Sequence, residues 1–229
     1  MKSLWLFLVA TSCALGQAPV NQQNSSSSVA GTWVAEHRSM GGIGSLWVFH
    51  PDGTLSMSAG AMVDMPYKLE GVTLTLPPGT TGPDAKPQVS KVSFPGDQMC
   101  MTVEDAKGPL CFTRIGSPHP GAAAIVGKWK PIPHQQFPAN GPGTLQDEKQ
   151  KEMARKAFQG ATWIFTPDGT LKLRIPFRTD QGSWDKATRS FSLSYAGAQI
   201  SGKFRLEAGK LVLTQPDGKS EDTYVRDED

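Results

Sequence analysis

The sequence predicts an all-β protein built from two tandem, small, antiparallel up-and-down β-barrels, with one helix inserted in the second. Three observations predict it: an internal duplication, an apolar period of two in most segments, and turn chemistry at close intervals. The duplication shows in Val29-Ala30-Gly31-Thr32-Trp33, which returns 96 residues later as Ile125-Val126-Gly127-Lys128-Trp129. It shows again in Trp47-Val48-Phe49-His50-Pro51-Asp52-Gly53-Thr54-Leu55. That segment returns 116 residues later as Trp163-Ile164-Phe165-Thr166-Pro167-Asp168-Gly169-Thr170-Leu171, with seven identities in nine positions. Both copies end alike, Phe112-Thr113-Arg114 matching Tyr224-Val225-Arg226. The two offsets differ, so the second copy carries about 20 extra residues between its first two strands.

The elements follow in order. Lys2 and the apolar run at residues 4–10, with small residues Ala14 and Gly16, form a signal-peptide pattern over residues 1–16. That run is too short to span a bilayer, so the segment reads as a removable signal. A second route is cleavage before Cys13 with lipidation of that cysteine. The expected compartment is secreted or periplasmic, with no transmembrane segment. Residues 17–28 read as a flexible linker, because the stretch Val-Asn-Gln-Gln-Asn-Ser-Ser-Ser-Ser has no apolar period. The first barrel is expected over residues 29–116 and the second over 125–226, separated by the Pro- and Gly-bearing segment 117–124. With 24 glycines and 18 prolines, the composition suits short elements joined by turns. A formal charge of +2 without a dense basic run gives no nucleic-acid surface.

Within each copy, Pro-Asp-Gly forces a tight turn between two strands. Leu171, Leu173 and Ile175 then alternate with Lys172 and Arg174, the mark of a half-buried antiparallel strand. Val72, Leu74 and Leu76 alternate with threonines, and Phe191, Leu193 and Tyr195 with serines. About eight short strands per copy result, enough for a sheet to close on itself.

These residues resemble the lipocalin-like (calycin) domains, a family that opens its first strand with Gly-x-Trp and places an Arg from its last strand across the Trp ring. The resemblance implies a structural closure in each copy: Gly31 and Trp33 with Arg114, and Gly127 and Trp129 with Arg226. Cation–π attraction is the physical reason for such a pairing. It also implies a protein that carries or senses a small hydrophobic molecule.

The insertion holds a helix, expected over about 144–159, with Thr144 as N-cap and Gly160 as stop. Leu145, Met153, Ala154, Ala157 and Phe158 share its apolar face. Two readings stand: a lid over the barrel mouth, or a brace that plugs the barrel end.

Cys100 and Cys111 fall opposite one another if a hairpin centres on Asp105-Ala106, with Met101 facing Leu110 and Met99 near Phe112. An oxidising compartment favours a disulfide between them, and two free thiols are the alternative. Met40, Met57, Met62, Met65, Met99 and Met101 crowd the first copy. Thioethers in that number fill irregular cores, line a permissive pocket, or ligate Cu(I). The four histidines show no metal-ligand spacing, and Asp52 and Asp168 recur because the turn needs them. The expectation is therefore a non-enzymatic protein without metal or cofactor.

Two functions follow. The first is an exported binding protein that holds a small hydrophobic molecule against Met57, Met99, Met101, Leu145, Met153, Phe158, Trp163 and Phe165. The alternative is a structural or interaction module of the cell envelope, with filled barrels and a protein partner.

Overall fold

The structure is a computed structural model that describes residues 28–39, 41–78, 85–103, 108–118, 123–133, 148–195 and 197–227. The expected signal peptide, Cys13, Met40, Thr144 and Leu145 lie outside the described residues, as does all of the linker before Ser28. The first copy supplies β1 (Gly31–Ala35), β2 (Ile43–Phe49), β3 (Thr54–Pro66), β4 (Lys68–Glu70), β5 (Thr73–Leu76), β6 (Gln88–Ser93), β7 (Gln98–Val103) and β8 (Leu110–Ile115). The second supplies β9 (Gly127–Pro131), helix α1 (Glu148–Gly160), β10 (Thr162–Phe165), β11 (Thr170–Asp185), β12 (Ser190–Tyr195), β13 (Ala198–Glu207), β14 (Lys210–Thr214) and β15 (Glu221–Arg226).

The fold is all-β and contains a closed, antiparallel, eight-stranded barrel. Its ring runs β1, β2, β3, β11, β12, β13, β14 and β15, and β15 pairs back onto β1. Three of its strands come from the first copy and five from the second. The other strands extend from the first half of β11 in the order β10, β9, β8, β7, β6, β5 and β4. β4 lies just beyond β3 in the chain, across Tyr67, so this second series leads back to the strand beside β11.

The closure expected inside each copy is corrected here. β1 pairs with β15, and β8 pairs with β9. The guanidinium of Arg226, not Arg114, lies 4.4 Å from the Trp33 ring centre, and Arg114, not Arg226, lies 4.1 Å from that of Trp129. The boundaries 29–116 and 125–226 therefore do not enclose self-contained barrels. The reason is degeneracy: both copies offer the same first strand and the same last strand, so local pattern accepts either partner. The chemistry of the closure stands with its partners exchanged. Arg226 donates to the Ala30 and Ser28 carbonyls at 3.1 and 2.5 Å, and Trp33 Nε1 donates to Val29 O at 2.8 Å. Arg114 and Trp129 repeat this with Val126, Ala124 and Ile125. Each stacked pair contributes about 0.5–2 kcal/mol. Gly31 is required because a Cβ there would sit 2.5 Å from Arg226 Nη1, at a φ of +133°.

The exchange is carried by β3 and β11, which pair from Thr170↔Pro66 to Ser183↔Thr54. Leu55 and Met57 of β3 join the core of the eight-stranded barrel, while Met65, further on, packs against the second core. β11 does the reverse, Leu171 and Leu173 serving the second core and Trp184 the first. The register shifts between Pro176 and Arg178, so Phe177 is an extra residue that changes which side chains face inward. Gly60 lies at this crossing, where a Cβ would come 2.1 Å from Ile175 O.

Both cores are occupied by the chain's own side chains. One holds Trp33, Trp47, Phe49, Leu55, Phe191 and Leu213, the other Leu74, Met99, Phe112, Trp129, Phe165 and Leu171. Among the described residues the helix runs Glu148–Gly160, and its expected start at Thr144 lies outside them. Phe158 reaches the second core and meets Phe112 edge-on at 6.3 Å, as a brace does. Met153 is 55% exposed, contrary to expectation, because the packed face runs through Ala154, Ala157 and Phe158.

A charged network ties the exchanged segments together. Arg174 is buried and grips Asp227 with Nε and Nη2, both at 2.8 Å, while its Nη1 donates to Asp64 at 2.6 Å. Arg38 holds the other Asp64 oxygen at 3.1 Å, and Lys172 lies 3.4 Å from Asp227. Burial alone would push the Asp227 carboxyl up, but hydrogen bonds and charge from Arg174 and Lys172 outweigh it and hold the group below its ordinary value.

Three outcomes are expected. Cutting the chain within residues 117–123 gives halves that fail to fold apart and recover native near-ultraviolet circular dichroism when mixed, since each core draws on both. Arg174→Ala leaves the buried Asp227 with Lys172 as its remaining cation, costing about 3 kcal/mol at neutral pH in denaturant unfolding. The native protein loses stability as pH falls below the ordinary Asp value of about 3.9, whereas this variant regains part of its loss on acidification.

Candidate functional site

One row of inward positions crosses the eight-stranded barrel: Trp33 faces Trp47, Trp47 faces Met57, and Met57 faces Asp180. Directly opposed residues share a face of the sheet, so Asp180 enters the interior beside two buried apolar side chains. The Phe177 bulge makes this happen, because it puts even-numbered residues of β11 on the inner face. The Asp180 side chain is only 9% exposed. Its Oδ1 accepts from Arg178 Nε and Nη2 at 2.9 and 2.5 Å, and its Oδ2 is buried with no hydrogen-bond partner.

The neighbouring row adds polar groups at the end of the barrel away from the Trp33–Arg226 closure. Ser45 faces Ala59, and Ala59 faces Arg178. Ser45 Oγ lies 3.2 Å from the Tyr224 hydroxyl, and Tyr224 itself stands opposite the small Ala35. The Arg178 guanidinium lies 4.7 Å from the Tyr195 ring centre, which holds it over the mouth. Burial pushes the Tyr224 phenol up from its ordinary value; Ser45 and Trp47 oppose the rise, and Asp222 adds to it. The Trp47 indole is near enough to influence Tyr224 but falls short of hydrogen-bond geometry, and its Nε1 is a buried donor without a partner.

The arrangement thus offers one unmatched donor and one unmatched acceptor on either side of Met57, under a rim of hydroxyls and one guanidinium. The corresponding row of the second series runs Trp129, Trp163, Leu173 and Val63, so a valine stands where the barrel has Asp180. Trp163 Nε1 is again a buried, unmatched donor, but no carboxylate accompanies it on that row.

The ligand-facing residues expected from sequence are not gathered into one site. Met57 lies in the eight-stranded barrel, while Met99, Met101 and Phe165 are buried in the second core with Phe158 and Trp163 against them. Cys100 and Cys111 form a disulfide with Cα atoms 4.0 Å apart, and Met101↔Leu110 and Met99↔Phe112 flank it in the expected register. Asp52 and Asp168 serve their turns, accepting from the Thr54 and Thr170 backbone N–H at 2.9 and 3.0 Å. Hydrogen bonds from Thr54 and Thr166 respectively lead the causes that hold these carboxyls below the ordinary value. Among the described residues no group of three or more His, Cys, Asp or Glu is placed to hold a metal, and no helix is long and apolar enough to cross a membrane. Comparison with protein-family models, with curated proteins and with solved structures found no match.

Ser45, Arg178, Asp180 and Tyr224 were not singled out by sequence reasoning. The sequence alone carries no signal for them, because the extra residue at Phe177 decides which face of β11 turns inward. Spectrophotometric titration at 295 nm checks the Tyr224 environment. Among the chain's three tyrosines, Tyr224→Phe removes a late-ionising component above the ordinary value of about 10. Ser45→Ala moves that component higher still. Because the folded phenol resists ionisation, the native protein loses stability as pH rises past that ordinary value, and Tyr224→Phe loses less.

Proposed function

We propose that the protein is an exported, non-enzymatic binding protein that holds a small, largely hydrophobic molecule at the mouth of the eight-stranded barrel. One observation carries the reading: Asp180 Oδ2 and Trp47 Nε1 are buried, unmatched, and placed on one inward row about a Met side chain. Leaving such atoms unpaired costs about 1–3 kcal/mol each, a cost that a partner entering the mouth relieves. Arg178 already neutralises Asp180, so the fitting molecule is neutral, with an apolar body and at least one hydrogen-bond donor. The filled second core and the bracing Phe158 support a scaffolding role for the other strands, and the signal-peptide pattern supports a secreted or periplasmic location.

A paired-probe titration tests this. Binding of 2-naphthol and of 2-methoxynaphthalene, which caps the donor, is measured by calorimetry on the native protein and on Asp180→Val. The native protein should prefer the naphthol about tenfold or more, the worth of one buried hydrogen bond. Asp180→Val copies the second series and should abolish that preference while melting no lower than the native protein. Equal binding of both probes, or binding of neither, sinks the reading.

A further inference from the structure

A cleft of about 410 Å³ opens beside the Trp33–Arg226 closure, at the end of the eight-stranded barrel away from Asp180. Trp184, Phe204 and Leu206 form its apolar wall, and Lys186, Arg189 and Arg205 supply three cations. Among the described residues no carboxylate lines it. Arg205 is already committed, its guanidinium held by Glu207 and by both oxygens of Glu221. Lys186 and Arg189 have no ion-pair partner among the described residues.

The wall and the cations are both positioned. Trp184 Nε1 donates to His50 O at 2.8 Å, and its ring meets Phe49 and Phe204 edge-on at 5.6 and 5.9 Å, so the indole is fixed. The turn that carries the two free cations is organised by Asp185, which accepts from the Ala187 and Thr188 backbone N–H at 2.7 and 3.1 Å. Its charge is thereby engaged with the turn rather than with Lys186 or Arg189. Arg189 has a φ of 51°, a left-handed backbone suited to Gly or Asn, and its carbonyl accepts from Phe204 N at 2.9 Å. A long cationic side chain is thus held where backbone preference alone would choose a small residue.

We infer that this cleft binds a small organic anion with a flat apolar body, of the aromatic carboxylate class, its ring against Trp184 and its carboxylate between Lys186 and Arg189. The volume is in the lower part of the range that ligand sites occupy, large enough for a two-ring body. Charge-assisted hydrogen bonds to the two cations would supply the specificity for an anion.

Calorimetric titration with 2-naphthoate, and with the neutral isostere 2-naphthamide, tests the inference. The naphthoate should bind the native protein at least about tenfold more tightly than the amide, and more weakly as salt rises. Lys186→Gln/Arg189→Gln should abolish that difference, while Lys186→Arg/Arg189→Lys keeps it. Both positions are exposed, and an unchanged thermal melt shows that the variants fold. Asp180→Val should bind naphthoate as the native protein does, separating this cleft from the mouth. Equal binding of acid and amide, naphthoate binding indifferent to the glutamine pair, or no naphthoate binding at millimolar concentration overturns the inference.

Discussion

Backbone pairing between β3 and β11 is the constraint from which the rest of the molecule follows. These two strands run on past the length a small barrel needs, and each serves one core with its first half and the other core with its second. Once they are paired over that length, neither copy can close on its own last strand. β15 is left to meet β1, β8 to meet β9, and the two Arg–Trp closures are exchanged with them. Gly60 permits the close approach at the crossing, and the Phe177 bulge corrects which residues face inward beyond it. The buried Arg174 network then links β11 to Asp64 of β3 and to Asp227 beyond β15. Its net contribution to stability is modest relative to an apolar replacement, but loss of one partner is costly because it leaves a charge buried without its main counter-ion.

Local chemistry was legible in the sequence because it repeats and because turns have strict requirements. The all-β class, the Pro-Asp-Gly turns, the Gly-x-Trp strands and the opposed cysteines all rest on interactions within a few residues or across one hairpin. The partner of each closure was not legible for the same reason: Arg114 and Arg226 sit in equivalent contexts, so nothing local prefers one tryptophan over the other. A clue lay in what was missing. Residues 55–65 contain no Pro or Asn, and their lone Gly60 has no turn-forming neighbour, so the strand has nowhere to turn back. A strand of 13 residues is long for a barrel of this size, and β11 is longer still.

The site was hidden by that same arrangement. Asp180 reads as one more surface charge between Thr179 and Gln181 until the bulge at Phe177 is known, because a single extra residue decides which face it takes. The methionines drew attention to the first copy, and most of them proved to be core. Met62 is fully buried outside both main clusters, and Met99 and Met101 fill the second core. Their softness suits the irregular space left where strands of two copies meet.

Duplication and exchange together explain how the eight-stranded barrel and the second core come to differ. Exchange makes each core a composite, so a change in β11 alters the eight-stranded barrel with its second half and the other core with its first. Asp180 and Val63 occupy matching places on the two rows, yet they come from different copies and vary independently. A carboxylate in the eight-stranded barrel therefore does not oblige the second core to accept one. The second core, with a valine at that place and Phe158 driven in from the helix, retains the apolar packing that stabilises the whole chain. Each core leaves one indole N–H unmatched, but only the eight-stranded barrel adds an unmatched carboxylate oxygen, so the larger cost of buried, unpaired polar atoms falls there.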